Sequence, residues 1–392
     1  MRSSLKSSLQ VSLISLILIF SLTPVSLAHP HYTYSHEERA MTANPNWMSV
    51  LPDSVRLSEL SIPGTHESLS FYGPAPIINL VRTQRMSLVS QLESGIRVFD
   101  IRCAVVDVRS GPGLPGYFNI YHGDIFQKEH FGGVLDTVVK FLRNHKRETV
   151  LMRVKEEKTD RPGDFETIFR DTYWNKAPYK DFMWKGTDQN PTLAEMRGKI
   201  VILQDFARWQ CPNAQCPSEP ISSIHPQYGI CYNSFVDQDK FQVLGREALY
   251  DKWEWVKKYL DHANFGFDEG RHRDTKFINY LSGVGTTQTL GEPNPWFVVS
   301  GHQGPGTGAE RLRTKYWGLP NQWPDFPRDT VGGREWIYYE GTNTLVYDYI
   351  RNGHAAKRVG IIMTDFPGKG LIERIICINY PKTDPLCQRL PK

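Results

Sequence analysis

Gly95-Ile96-Arg97-Val98-Phe99-Asp100-Ile101-Arg102 reads as a buried β-strand that stops on ionisable chemistry. Val98, Phe99 and Ile101 are residue types favoured in strands, and near-continuous apolar character suits a parallel strand covered on both faces. Asp100 and Arg102 are two apart, so a strand turns both side chains to one face. On either side of this segment, similar runs occupy residues 57–62, 118–121, 150–154, 200–203, 277–281 and 359–363. Helical candidates fall at 86–93, 134–145, 164–174, 242–262, 345–351 and 371–378; in the second, Val134, Leu135, Val138, Val139, Phe141 and Leu142 recur at helical spacing. This alternation predicts an α/β chain folded as an irregular TIM-like (β/α) barrel with a single catalytic domain.

The residues that close each run are as informative as the run itself. In order the strands end at His66, at Asp100 and Arg102, at His122, at Lys155 with Glu156 and Glu157, at Asp205, at Ser282 and at Asp365. Ionisable residues at the C-terminal ends of parallel strands converge on one barrel mouth. A lone residue of this kind is as readily a solvated strand end, but the repetition points to a site. Two histidines supply a base and an acid that titrate near neutral pH, and a guanidinium beside them stabilises negative charge on a phosphate in the transition state. Together those groups are suited to cleaving a phosphodiester.

The N-terminus predicts export. Arg2 and Lys6 precede the apolar stretch 11–20, and Ser26-Leu27-Ala28 offers small residues for cleavage, the pattern of a secretory signal over 1–28. An extension over 29–50 and a barrel over 51–392, with long loops at about 205–235 and 283–343, complete the expected organisation. Removing 1–28 takes away two basic residues and no acidic one, lowering the formal charge from +4 to +2; no basic stripe marks a nucleic-acid partner. Six cysteines in an exported chain imply disulfides. Cys211 with Cys216 and Cys377 with Cys387 are the preferred local pairs, leaving Cys103 and Cys231; zinc ligation by Cys211 and Cys216 is the weaker reading, since partner histidines are missing.

The blocks Ser61-Ile62-Pro63-Gly64-Thr65-His66, Phe99-Asp100-Ile101-Arg102, His122-Gly123, Val154-Lys155-Glu156-Glu157, Gly198-Lys199-Ile200-Val201-Ile202-Leu203 and Gln238-Asp239-Lys240-Phe241 resemble, in order, those of bacterial-type phosphatidylinositol-specific phospholipase C. The combination covers most of the chain beyond residue 28. The resemblance implies attack of an inositol 2-hydroxyl on its own phosphodiester, with His66 as general base, His122 as general acid, Asp365 orienting the base and Arg102, supported by Asp100, holding the phosphate. It also implies that Lys155 and Asp239 bind inositol hydroxyls, with Phe241 where a ring-stacking tyrosine is usual. Glu67 stands where aspartate assists the acid, and Asp205 near the place of an inositol-binding arginine. Calcium-dependent relatives have acidic residues where Arg102 stands, so the expectation is an enzyme with no metal and no cofactor.

The expected partner is a phospholipid at a membrane surface, for a secreted monomer with no protein partner. Trp296, Trp317, Trp323 and Trp336 in the 283–343 stretch are candidates for a lip dipping into that interface, although core packing explains the same residues. Two other functions remain: a metal-dependent phosphodiesterase on the same barrel, which Arg102 disfavours, and a noncatalytic barrel that binds inositol phosphates or glycans.

Overall fold

A computed structural model describes residues 30–106, 117–158, 164–207, 227–268, 270, 272–285, 293–305, 310–319 and 321–390. The expected signal segment and the Cys211–Cys216 pair lie outside them. The strands are β1 (Ile62–Thr65), β2 (Val98–Val106), β3 (Tyr117–His122), β4 (Ile125–His130), β5 (Val150–Lys158), β6 (Ile200–Asp205), β7 (Ile230–Cys231), β8 (Val236–Gln238), β9 (Phe277–Tyr280), β10 (Arg313–Lys315), β11 (Arg328–Val331), β12 (Arg334–Tyr338) and β13 (Ile361–Thr364). Parallel pairing runs in the order β7-β6-β5-β2-β1-β13-β9-β8. Among the described residues no ladder joins β7 to β8, which leaves the curled sheet open there. It is the expected irregular TIM-like barrel.

Local sequence explains the pieces. The helix Leu88–Ser94 starts at Ser87, whose side chain accepts from the Ser90 amide, and stops at Gly95, whose φ of 113° suits a residue without a Cβ. The helix Phe131–Asn144 buries the predicted stripe from Val134 to Leu142 against the sheet. β1 is short and buried throughout, and at Gly64 a Cβ would come within 2.5 Å of Met363 Sδ and 2.9 Å of Val98 Cβ. Glycine there lets β2 and β13 close on β1 from both sides. The N-terminal segment joins the same core through Trp47 and Met48, while Pro45 O accepts from Arg97 beneath the barrel.

Several expectations shift. Residues 57–59 form a 3-10 turn, and the first strand begins only at Ile62, where the backbone can pair with β13 and β2. The run 118–121 is not a barrel stave: β3 pairs antiparallel with β2 from Cys103 to Val106 and forms a hairpin with β4. The long helix runs Ala248–Asp268 rather than from 242, and the helix-like 164–174 changes from α to π-type winding at Phe169. Cys377 and Cys387 are bonded as expected, with 5.5 Å between their Cα atoms. Cys103 is buried and free, however, and Cys231 is bonded elsewhere. The reason is spacing: Cys103 on β2 and Cys231 on β7 are three strand steps apart, roughly 14 Å at ~4.8 Å per step, beyond the ~7 Å limit of a disulfide.

The 283–343 stretch carries the helix Pro295–Ser300 and an antiparallel sheet in the order β10-β12-β11. Its tryptophans divide. Trp296 is buried against Tyr34 and Phe366, and Trp323 packs on Phe326 and Tyr339, whereas Trp317 is 67% exposed and Trp336 lies half-covered on the small sheet.

Candidate active site

The C-terminal ends of the parallel strands open on a cavity of about 300 Å³, whose lining includes His66, Arg102, His122, Arg153, Lys155 and Asp239. His66 leaves β1 and Asp365 leaves β13, adjacent strands in register from Ile62–Ile361 to Thr65–Thr364. That pairing sets His66 Nδ1 2.9 Å from Asp365 Oδ1. The next residue in each case, Glu67 at φ 39° and Phe366 at φ 45°, has the left-handed backbone that a side chain disfavours. Buried Gln84 donates from Nε2 to the carbonyls of both His66 and Thr364, each at 2.9 Å, and Thr83 Oγ1 donates to Glu67 O at 3.0 Å. Asn343 Nδ2 holds Asp365 O at 3.0 Å.

Arg102 is the hub. Its Nε donates to Asp100 Oδ2 at 3.2 Å, Nη1 meets Glu157 Oε1 at 3.3 Å and also Glu67, and Nη2 stands 3.1 Å from His66 Nε2. A guanidinium only donates, so His66 Nε2 is the acceptor and Nδ1 carries the proton given to Asp365. This is the tautomer a general base needs. His122 enters from the hairpin: β3 runs back along β2, and Glu67 pairs with Nδ1 of His122 while Ser70 Oγ lies 2.9 Å from the same nitrogen. Ser70 Oγ donates to Val81 O at 2.8 Å, so toward the imidazole it accepts. Nε2 is then the atom that can hand a proton to a leaving group.

Electrostatics agree with those roles. Burial opposes charge on His66, yet Asp365 and Glu67 outweigh it and raise its pKa above the ordinary imidazole value. Burial raises the Asp365 carboxyl above the usual range, only partly offset by His66. For Glu67 burial is overcome by Arg102 and His122, which bring it down to about 2, and Asp100 is likewise held low by Arg102 and Arg153. Their compensated carboxylates stay ionised at neutral pH.

The candidate head-group residues fall in two sets. Lys155, Asp239 and Phe241 line the cavity, Phe241 half-exposed at its edge. Asp205 stands behind it, 2.8 Å from Arg153 Nη2, and it is Arg153 that reaches the cavity. Arg153 Nη1 also donates to Tyr280 OH at 2.9 Å and approaches Asp100 Oδ1 at 3.4 Å, with Tyr232 under the guanidinium at 4.1 Å. Glu157, read from the sequence only as a strand end at the mouth, has a definite place: it takes Lys155 Nζ at 2.6 Å and the Gly123 amide at 3.0 Å, tying the hairpin turn to Arg102. The strand period of two could have found Arg153, since Arg153, Lys155 and Glu157 alternate on one face of β5.

A parallel barrel with two histidines, an arginine between them and a buried carboxylate behind one is an arrangement suited to phosphodiester cleavage of the phospholipase C type. The chain belongs to the phosphatidylinositol-specific phospholipase C family. The family's X domain matches residues 60–205. The chain is 32% identical over 260 residues to a 1-phosphatidylinositol phosphodiesterase of Staphylococcus aureus, spanning 64% of this chain and 79% of that protein. It is 35% identical over 205 residues to the Listeria monocytogenes protein of the same name, covering 50% of this chain and 60% of the relative's length. The fold superposes on the phosphatidylinositol-specific phospholipase C of Listeria monocytogenes with a TM-score of 0.58 at 26% identity, over 87% of this chain and 100% of that one.

Proposed function

We propose that this protein is a secreted, monomeric phospholipase C that cleaves phosphatidylinositol, or a related inositol phosphodiester, without a metal, releasing diacylglycerol and a cyclic inositol phosphate. The observation that carries the reading is Arg102 bonded to His66 Nε2 while Asp365 takes Nδ1, at a cavity that His122 also lines. His66 Nε2 removes the proton of the 2-hydroxyl as its oxygen bonds to phosphorus. Asp365 stabilises the imidazolium that forms. Arg102 binds the nonbridging oxygens, where charge accumulates. His122 Nε2 protonates the departing glycerol oxygen as the bond from phosphorus to it breaks. Once the products leave, His66 gives its proton to solvent water and His122 takes one from it, which returns both histidines to their starting states.

Head-group hydroxyls are assigned to Lys155 and Asp239, with the ring against Phe241. Asp205 acts through Arg153, whose guanidinium it orients. The metal-independent reading is supported by the fixed charge of Arg102 on Asp100, Glu67 and Glu157, which compensates the carboxylates that a hard cation would need. Purified protein with phosphatidylinositol vesicles in excess chelator, followed by phosphorus resonance, is expected to yield the cyclic phosphate. Silence under chelation with rescue by calcium or magnesium overturns the reading.

A further inference from the structure

The sheet β10-β12-β11 has no part in the chemistry above, yet both ends of its excursion are fastened at the barrel mouth. The chain departs past Gly283, which lines the cavity, and returns at Thr342, whose Oγ1 donates to Leu281 O at 2.9 Å; the next residue holds Asp365 O. Register sorts the faces. Arg313 pairs with Tyr338, Lys315 with Trp336, Trp336 with Asp329 and Arg334 with Val331, so these seven share one side, while Ile337 on the other is buried in the body of the protein. The shared side has three cations and one carboxylate.

Among the described residues none of Arg313, Lys315 and Arg334 makes an ion pair within 4 Å. Instead Arg313 lies 4.5 Å over the Trp336 ring, and Lys315 is 4.5 Å over Trp317. Trp317 and Leu319, just beyond β10, are 67% and 58% exposed. Three cations against one carboxylate, two of them over aromatic rings, beside an exposed tryptophan and leucine, are matched by an anionic, partly apolar interface.

We propose that this face docks on a bilayer carrying anionic phospholipid: the cations meet phosphate groups, and Trp317 and Leu319 enter the headgroup boundary. The proposal rests on the phospholipase reading for its choice of occupant. Docking there tethers the enzyme to the surface that contains the substrate. Of the four tryptophans weighed as a lip at that interface, Trp296 is buried and Trp323 is partly covered against Phe326 and Tyr339, while Trp317 is the one left 67% exposed.

The test separates docking from catalysis. Sedimentation with phosphatidylcholine vesicles, with and without phosphatidylserine, needs no turnover. Wild-type protein is expected to bind the mixed vesicles and to release as salt rises. The variant Arg313→Gln/Lys315→Gln/Arg334→Gln is expected to bind at least ~10-fold more weakly, from the roughly 1 kcal/mol that each cation gains near an anionic surface. Trp317→Ala/Leu319→Ala is expected to weaken binding without changing the salt slope. Both variants should cleave a soluble inositol phosphodiester at the wild-type rate, with unchanged circular dichroism. Equal binding by wild type and variants overturns docking, as does binding to a heparin column that the glutamine variant loses while vesicles are ignored. Failure to cleave phosphatidylinositol with vesicle binding intact overturns the phospholipase reading alone.

Discussion

Asp365→Asn removes one charge and almost no volume from a buried position 2.9 Å behind the base. Two outcomes compete. If the amide turns its NH₂ toward His66, the imidazole has to switch tautomer, Nε2 gains the proton, and the base is lost; such a loss approaches ~10⁴-fold. Arg102 opposes that switch, because a proton on Nε2 would face a guanidinium at 3.1 Å that can only donate. The amide oxygen therefore remains toward Nδ1. The charge assistance to the imidazolium disappears, about 1.5–3 kcal/mol for a hydrogen bond to a charged group against ~1 for a neutral one. The difference of about 0.5–2 kcal/mol predicts a fall in kcat of roughly 2- to 30-fold at optimal pH. The pH profile supplies an independent reading. Asp365 helps to hold the His66 pKa up, and the base works when neutral, so activity in the wild type rises as pH passes that raised value. In the variant the acidic limb moves to lower pH. Stability moves separately: burial raises the Asp365 carboxyl, so its charge disfavours folding above the ordinary carboxylate range, and the amide should leave Tm unchanged or higher. The assay is kcat against pH on a soluble inositol phosphodiester, with melting followed at pH 7. An acidic limb that stays in place or moves to higher pH, or a lowered Tm with an unchanged rate, refutes the dyad.

His66→Ala and His122→Ala are each expected to fold, by circular dichroism, and to lose at least ~100-fold in kcat, the lower range for general acid or base assistance. Arg102→Lys keeps one charge but lacks the fork that reaches His66, Glu67 and Glu157 together, so kcat should fall far more than KM rises in steady-state kinetics. Arg153→Met leaves Asp205 and Asp100 facing each other with less compensation, and urea unfolding should show a loss of about 3–5 kcal/mol, partly recovered in Arg153→Met/Asp205→Asn. Glu67 is held down to about 2, so its ionised form favours the folded state above the ordinary carboxylate pKa and that contribution disappears as pH falls from ~4.5 to ~2; Glu67→Gln should flatten stability across that window.

The barrel was legible in the chain alone, because each parallel strand is a local apolar run and each helix a local stripe; Val98–Ile101 and Val134–Leu142 lie buried where those patterns put them. So were the residues that end the strands at the mouth, since β1, β2 and β13 carry His66, Arg102 and Asp365 through the strand period alone. How they meet is a matter of tertiary structure. Strand direction is a property of a pair, and nothing in residues 118–121 shows that β3 runs antiparallel to β2 and delivers His122 from a hairpin. Whether Asp205 faces the cavity depends on the adjacent strand, where Lys155 is its register partner and Arg153, two residues earlier, takes its carboxylate. Cys103 is left free by the sheet order, which sets it too far from Cys231. The tryptophans of 283–343 look alike in sequence, but only packing settles which are covered: burial is set by the groups across a contact, and those neighbours are distant along the chain.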